Sequence, residues 1–308
     1  MPHRGIIVFL IIGLVIGGVL AGISLLRDRQ RDLPAEPPST VEPGQPQEPQ
    51  PLMAAGQTLR IPIPAIGGAD KAVTLVQAHS SKSQKVALTF DVGWIHEPTD
   101  QLLAVLKELE VTATFFLRGG WVEDYPHLVR KIAADGHLIA NHSLTHGDMT
   151  KMSREEMRYE LRRTTQLIQE ITGQRPFLFR PPYGAYNDEL RAALVEEGYW
   201  YNVYWTIDSL DWMEPGVDQI VTRIRDRLAG GAIILMHVGT FQTPEALPQI
   251  VQMIRERGFE TATIPELLPD SAWTGETEYV VQEGDSLESI ARKYGTTVEA
   301  IVALNGLR

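Results

Sequence analysis

The chain has no cysteine. That excludes a disulfide scaffold, a thiolate zinc site, a cysteine nucleophile and a lipid-modified amino-terminal cysteine. Basic residues are scarce: 28 Lys and Arg stand against 39 Asp and Glu, a formal net charge of −11. Nucleic acid is not an expected partner, because phosphate contacts need clustered Lys and Arg. No internal repeat of fixed period occurs. What remains is an apolar share of 44% over 308 residues. That share excludes global disorder, and the length suits two folded units or one larger unit with appendages.

The amino-terminal end is unlike the rest. Residues 5–26 read GIIVFLIIGLVIGGVLAGISLL, 22 residues without a charge. At about 1.5 Å rise per residue, such a run crosses about 30 Å of hydrocarbon. No clear A-x-A cleavage site follows it, so residues 1–32 are expected to be an uncleaved transmembrane helix. A simple count, with Arg4 before the run and Arg27, Arg29 and Arg31 after it, would put the rest of the chain in the cytoplasm. Residues 33–56 are proline-dense and poor in large apolar groups, which predicts an extended, semi-rigid linker.

Between residues 85 and 268 the pattern alternates. Short apolar runs at 86–90, 112–117, 138–141, 177–180, 201–206, 232–237 and 261–264 read as buried parallel strands. Helical patterns lie between most of them, at 99–110, 126–135, 153–172, 187–197, 217–229 and 245–257. Ser153 and Glu156 have capping-box spacing, and Gly173 suits a helix end. Strand-helix repetition implies an α/β fold with a parallel sheet, and seven strands with outer helices suggest an incomplete β/α barrel.

Ionisable residues collect at the ends of those strands. Asp91 follows one, His142 and His146 another, Arg180 ends a third, Asp208 and Asp211 follow a fourth, and His237 ends a fifth. In a β/α barrel such positions converge on one mouth. Singly, each has an ordinary structural reading. The His142–His146 spacing suits two ligands of one divalent metal, but can arise by accident. Arg180-Pro-Pro-Tyr-Gly184 is either a rigid turn or a clamp for a carboxylate. Asp208 and Asp211 are helix caps, or Asp211 orients His237 as a proton donor. Trp212 and Leu235 are core residues or the wall of a small apolar pocket. Together they make a kit for metal-assisted hydrolysis. A glycosidase using Asp208 and Asp211 is disfavoured, because such enzymes set two carboxylates on opposite sides of the bond, about 5–9 Å apart.

The segments Thr89-Phe-Asp-Val-Gly93, His142-Ser-Leu-Thr-His146, Arg180-Pro-Pro-Tyr-Gly184, Asp208-Ser-Leu-Asp-Trp212 and Leu235-Met-His237 resemble, in order, the five motifs of the NodB-like polysaccharide deacetylases, carbohydrate esterase family 4. The resemblance implies a deformed (β/α)7 barrel over residues 57–270 that removes acetyl groups from N-acetylated sugars. It implies Asp91 as the base and Arg180 as its holder. His142 and His146 become ligands of a divalent metal, zinc or cobalt. The backbone N–H near Tyr183 becomes an oxyanion donor, His237 oriented by Asp211 the acid, and Trp212 with Leu235 the acetyl pocket. One position departs: the family has a second, metal-binding aspartate where this chain has Val92. His96 or Glu97 is a possible replacement ligand.

At the other end, residues 279–307 read as a strand, a turn at Gly284-Asp285, a helix from Ser286 and a second helix from Thr297. They resemble a LysM module, a βααβ unit that binds N-acetylglucosamine polymers. Residues 277–308 are expected to be such a module truncated before its last strand. The expected function is a membrane-anchored, extracellular deacetylase of peptidoglycan N-acetylglucosamine or a chitin-like polymer. The alternative is a non-catalytic wall-glycan binder with a degenerate metal site.

Overall fold

A computed structural model describes residues 53–63, 72–75, 83–199, 201–268, 275–294, 296 and 298–307. The expected anchor, residues 1–32, and the linker up to residue 52 lie outside the described residues. Among the described residues no helix is long and apolar enough to cross a membrane.

The main sheet is organised around β3 (Lys85–Val92), buried from Val86 onward. Its side chains alternate between faces. Val86, Leu88, Phe90 and Val92 join one apolar cluster with the helices, and Ala87 joins a second cluster with Phe116 and Ile233. The sheet runs β2 (Val73–Leu75), β7 (Tyr201–Val203), β6 (Leu178–Phe179), β5 (Leu138–Asn141), β4 (Thr114–Leu117), β3, β9 (Ile233–His237) and β8 (Ile207–Asp208). β10 (Glu260–Ala262) also pairs with β3, and the pairings are parallel. The seven expected strands are all present. The expected deformed, incomplete (β/α)7 barrel is found as an open half-barrel with a larger sheet: β2 and β8 are additional, no β2–β8 pairing occurs among the described residues, and the sheet has nine strands. Strands of two or three residues are too short to show an alternation in sequence.

Helices α1 (Thr99–Glu108), α3 (Pro126–Ala134), α4 (Arg154–Thr172), α5 (Asp188–Glu196), α6 (Val217–Arg225) and α7 (Gln242–Glu256) fall where the periodicity puts them. The short α2 (Gly119–Asp124) was not expected. α4 opens with the Ser153–Glu156 capping box and closes on Gly173 at φ 72°.

His137, which directly precedes β5, is buried. Its Nδ1 accepts the Ala113 N–H at 3.3 Å, and its Nε2 has no partner among the described residues. Burial pushes its pKa down from 6.5 to about 4. The unfolded chain therefore binds a proton that the folded chain refuses. The contribution to stability is full above pH 6.5 and is lost as pH falls from 6.5 toward 4. The melting temperature is expected to drop across that window. His137→Asn keeps an acceptor but does not titrate, so its melting temperature should fall less, as calorimetry at several pH values would show.

The carboxy-terminal residues form a separate small sheet-and-helix unit. β11 (Gly275–Val280) precedes α8 (Leu287–Tyr294) and α9 (Val298–Asn305). Ser286 and Ser289 cap α8 reciprocally, each hydroxyl accepting the other's backbone N–H, at 3.1 and 2.9 Å. Among the described residues no strand follows α9, and an upstream strand lies beside β11 instead. β1 (Thr58–Ile63) pairs antiparallel with β11, Thr58 opposite Val280 and Ile63 opposite Gly275. Leu59 and Ile61 are fully buried against Leu287, Ile290 and Ile301. Each such side chain contributes about 1.5–3 kcal/mol on burial. Residues 58–63, assigned from sequence to the barrel, thus pair with the small module instead.

Candidate active site

Strand register sets the centre of the site. The β3–β9 ladder puts Asp91 directly opposite His237. Asp91 accepts from Arg180 Nη1 at 2.7 Å, a single bond and not a two-pronged fork. Arg180 is fully buried and is itself fixed: Nη1 also donates to Thr89 Oγ1 and Nη2 to the Tyr204 carbonyl, while the guanidinium lies 4.0 Å over the Phe116 ring. Burial would raise the Asp91 pKa, but the charges of Arg180, His142 and His237 outweigh it, and the carboxyl titrates below its ordinary value.

Asp211 is also fully buried. Its Oδ1 lies 2.7 Å from His237 Nδ1, and its Oδ2 accepts the His237 backbone N–H at 2.7 Å and the Thr243 hydroxyl at 2.5 Å. Burial pulls the His237 pKa down, yet the bond to Asp211 and the charges of Asp211, Asp91 and Asp208 prevail, so it is raised.

His142 donates from Nδ1 to the Arg180 carbonyl at 2.8 Å, which leaves Nε2 as the lone-pair nitrogen, 3.5 Å from Asp91 Oδ2. His146 Nδ1 is buried without a partner among the described residues. The rings of His142, Tyr183 and Trp94 surround His146 at 4.8, 4.8 and 5.0 Å. Burial lowers both imidazole pKa values, that of His146 to about 4, so both rings are neutral at pH 7. Ser143, His146, Tyr183 and Leu210 all have positive φ, a strain that clusters at functional sites. At φ 66°, Gly184 presses against the Tyr204 ring where a Cβ has no room, which explains the glycine of its motif.

A cavity of 620 Å³ opens over these groups. Asp91, His142, His146 and His237 line it together with Asp208. Tyr183, Trp212 and Leu235 form its apolar wall. Arg180 and Asp211 sit behind the lining, each bonded to one of its members. His96 and Glu97 do not line it: His96 stacks on Tyr125 at 4.1 Å, and Glu97 is exposed.

The polysaccharide deacetylase family model matches residues 78–201, and the LysM domain model matches residues 279–308. The chain is 37% identical over 200 residues to the chitooligosaccharide deacetylase of Rhizobium leguminosarum bv. trifolii, covering 60% of this chain and 93% of that protein. The chain belongs to the polysaccharide deacetylase family. A peptidoglycan-N-acetylglucosamine deacetylase of Bacillus cereus is 32% identical over 191 residues, which are 61% of this chain and 69% of that one. The uncharacterized protein YlxY of Bacillus subtilis is 35% identical over 189 residues, 60% of this chain and 58% of that protein. Among solved structures, wild-type BA3943 of Bacillus anthracis, a CE4 family pseudoenzyme, superposes with a TM-score of 0.61 at 33% identity. The match covers 63% of this chain and 68% of that one. A BA3943 mutant with restored enzymatic activity superposes equally well, at 0.61.

Deacetylases of this family are generally metal-dependent. Here the expected zinc or cobalt site is incomplete. Two neutral imidazoles face the cavity, but Asp91 is bonded to Arg180, and among the described residues no group of three His, Cys, Asp or Glu could hold a metal. Catalytic metals usually take three protein ligands. Val92, where the third is expected, is fully buried in the apolar cluster of Val86, Leu88 and Phe90. The residues present do not make a three-ligand centre.

Two supports of this deacetylase site escaped the sequence reading. Glu160 Oε2 accepts the N–H groups of Leu144 and Thr145, and its Oε1 accepts the Thr145 hydroxyl, pinning the loop between the two histidines. Its signal was a carboxylate on the buried stripe of α4, between Met157 and Leu161. Asn141 Oδ1 holds the Ser143 N–H at 2.8 Å, while its Nδ2 donates to the Leu161 carbonyl and the Tyr199 hydroxyl. Trp94, exposed at the rim beside His146, is a third residue the reading missed.

Proposed function

We propose that the chain hydrolyses N-acetyl groups of a glucosamine-containing wall polymer, with peptidoglycan N-acetylglucosamine as the substrate. The observation that carries this reading is a pair of separately wired proton carriers on one cavity, Asp91 bonded to Arg180 and His237 bonded to Asp211. Asp91, kept ionised by Arg180, accepts a proton from the attacking water. The water oxygen bonds to the acetamide carbonyl carbon. His237, whose pKa the bond and charge of Asp211 raise, donates its proton to the nitrogen as the carbon–nitrogen bond breaks. Acetate and a free amine result. The backbone N–H of Tyr183 is the donor proposed for the oxyanion, and Trp212 and Leu235 bracket the methyl group. The relatives named as deacetylases of chitooligosaccharide and peptidoglycan support the substrate class.

A second reading, a wall-glycan binder without turnover, is favoured by one observation: Val92 buried where a metal-binding carboxylate is expected. Acetate release by the full chain from N-acetylglucosamine oligomers and isolated wall, with zinc or cobalt added and then chelated, separates the two. Release supports hydrolysis. Wall binding without acetate supports the second reading, and neither result would end both. Wall glycan lies outside the membrane, so the proposed location is extracellular with residues 5–26 as anchor, testable by protease digestion of intact cells.

A further inference from the structure

Resting on the glycan-binding reading of the small module, we propose that this module is a split binding unit. It can hold an N-acetylglucosamine polymer only when residues 53–63, which precede the barrel, are paired with residues 275–307, which follow it. The LysM match begins at residue 279 and includes none of the preceding segment.

Residues 275–307 are poorly equipped to fold alone. They contain one strand and two helices of eight residues each. Isolated helices shorter than about 12–15 residues are marginal in water. Units below about 40 residues usually need a disulfide, a metal or a partner. The chain has no cysteine, and no metal cluster exists among the described residues. The partner here is β1. Leu59 and Ile61 are fully buried in the module's core with Ile290 and Ile301. The antiparallel ladder is extended on its outer end, where Gly56 donates to the Val281 carbonyl and Val281 to the Gln57 carbonyl, both at 2.8 Å.

Asn305 closes the other side. Its Oδ1 accepts the Arg60 N–H at 2.8 Å and its Nδ2 donates to the Arg60 carbonyl at 2.6 Å, as a neighbouring strand would. Arg60 Nη2 returns a bond to the Leu304 carbonyl at 2.6 Å, at the end of α9. The segments after β11 and α9 therefore take their geometry from a strand that lies far upstream in the chain.

Amide exchange and glycan pull-down on the full chain test this together. In Ile61→Asp, amides of Leu287–Tyr294 and Val298–Asn305 should exchange at least tenfold faster, while those of Lys85–Val92 are unchanged. Binding to insoluble chitin and to peptidoglycan should fall at least tenfold in parallel. Unchanged helix protection would overturn the proposal. Should Ile61→Asp disturb the barrel as well, Asn305→Ala decides the question: faster helix exchange supports the split unit, and wild-type exchange overturns it. A wild-type chain that binds neither glycan, with helices still dependent on Ile61, would sink the glycan reading and leave the assembly standing.

Discussion

Asp211→Asn is expected to lower kcat for N-acetyl hydrolysis by about 10²–10⁴-fold, the range that one positioned proton carrier contributes. Asp211 binds His237 at its ring Nδ1 and its backbone N–H, so the carboxylate sets both the charge and the orientation of the ring. An amide can present N–H to Nδ1 and turn the imidazole to the wrong tautomer. The pH profile tells this apart from simple disorder. In the wild type the bond and charge of Asp211 hold the His237 pKa above its ordinary 6.5, so activity falls as pH rises through that elevated pKa. Asp91 titrates below 3.8, so activity should persist well into the acidic range. In Asp211→Asn the alkaline limb should move to lower pH, because burial then acts on His237 without its counter-charge. An alkaline limb that stays in place, measured as kcat/KM against pH, would refute the assigned acid. The bonds lost by Thr243 and by the His237 backbone should show separately, as a lower melting temperature.

Val92→Asp should have two opposite effects. Without metal, a carboxylate enters the apolar cluster of Leu88 and Phe90, a change costing on the order of 3 kcal/mol. With zinc, the carboxylate joins His142 and His146 to complete a three-ligand set, and a ligand at a hundred times its Kd stabilises by about 2.7 kcal/mol. The variant should therefore melt lower than the wild type in chelator, yet respond to zinc with a larger upward shift. Acetate release should rise at least tenfold. The zinc response should disappear in the double variant with His142→Ala. A Val92→Asp chain whose melting is indifferent to zinc would mean that position 92 cannot reach the imidazoles.

The chemistry of the mouth was legible because it is written at strand ends. Asp91, His142, Arg180 and His237 each terminate or follow an apolar run, and parallel strands carry such residues to a common rim. Val92 was legible as a departure, but its burial with Phe90 needed the structure, since the pleat of β3 decides which face a side chain takes. Glu160 and Asn141 act through backbone groups on other elements, and no local spacing reveals such a contact. β8 has two residues, too few for a period. β1 was missed for a different reason: its partner lies at the far end of the chain, and a strand without a neighbour in sequence gives no hairpin signal.

The β1–β11 ladder also determines how the protein would respond to being pulled. A tether upstream of Thr58 and a grip on the small module would meet across six antiparallel residue pairs, Thr58 against Val280 through Ile63 against Gly275. Tension between those two points would unzip that ladder from its Thr58–Val280 end, one pair at a time. The catalytic sheet, carried in the loop of chain between the two strands, would bear none of the load until the ladder had parted.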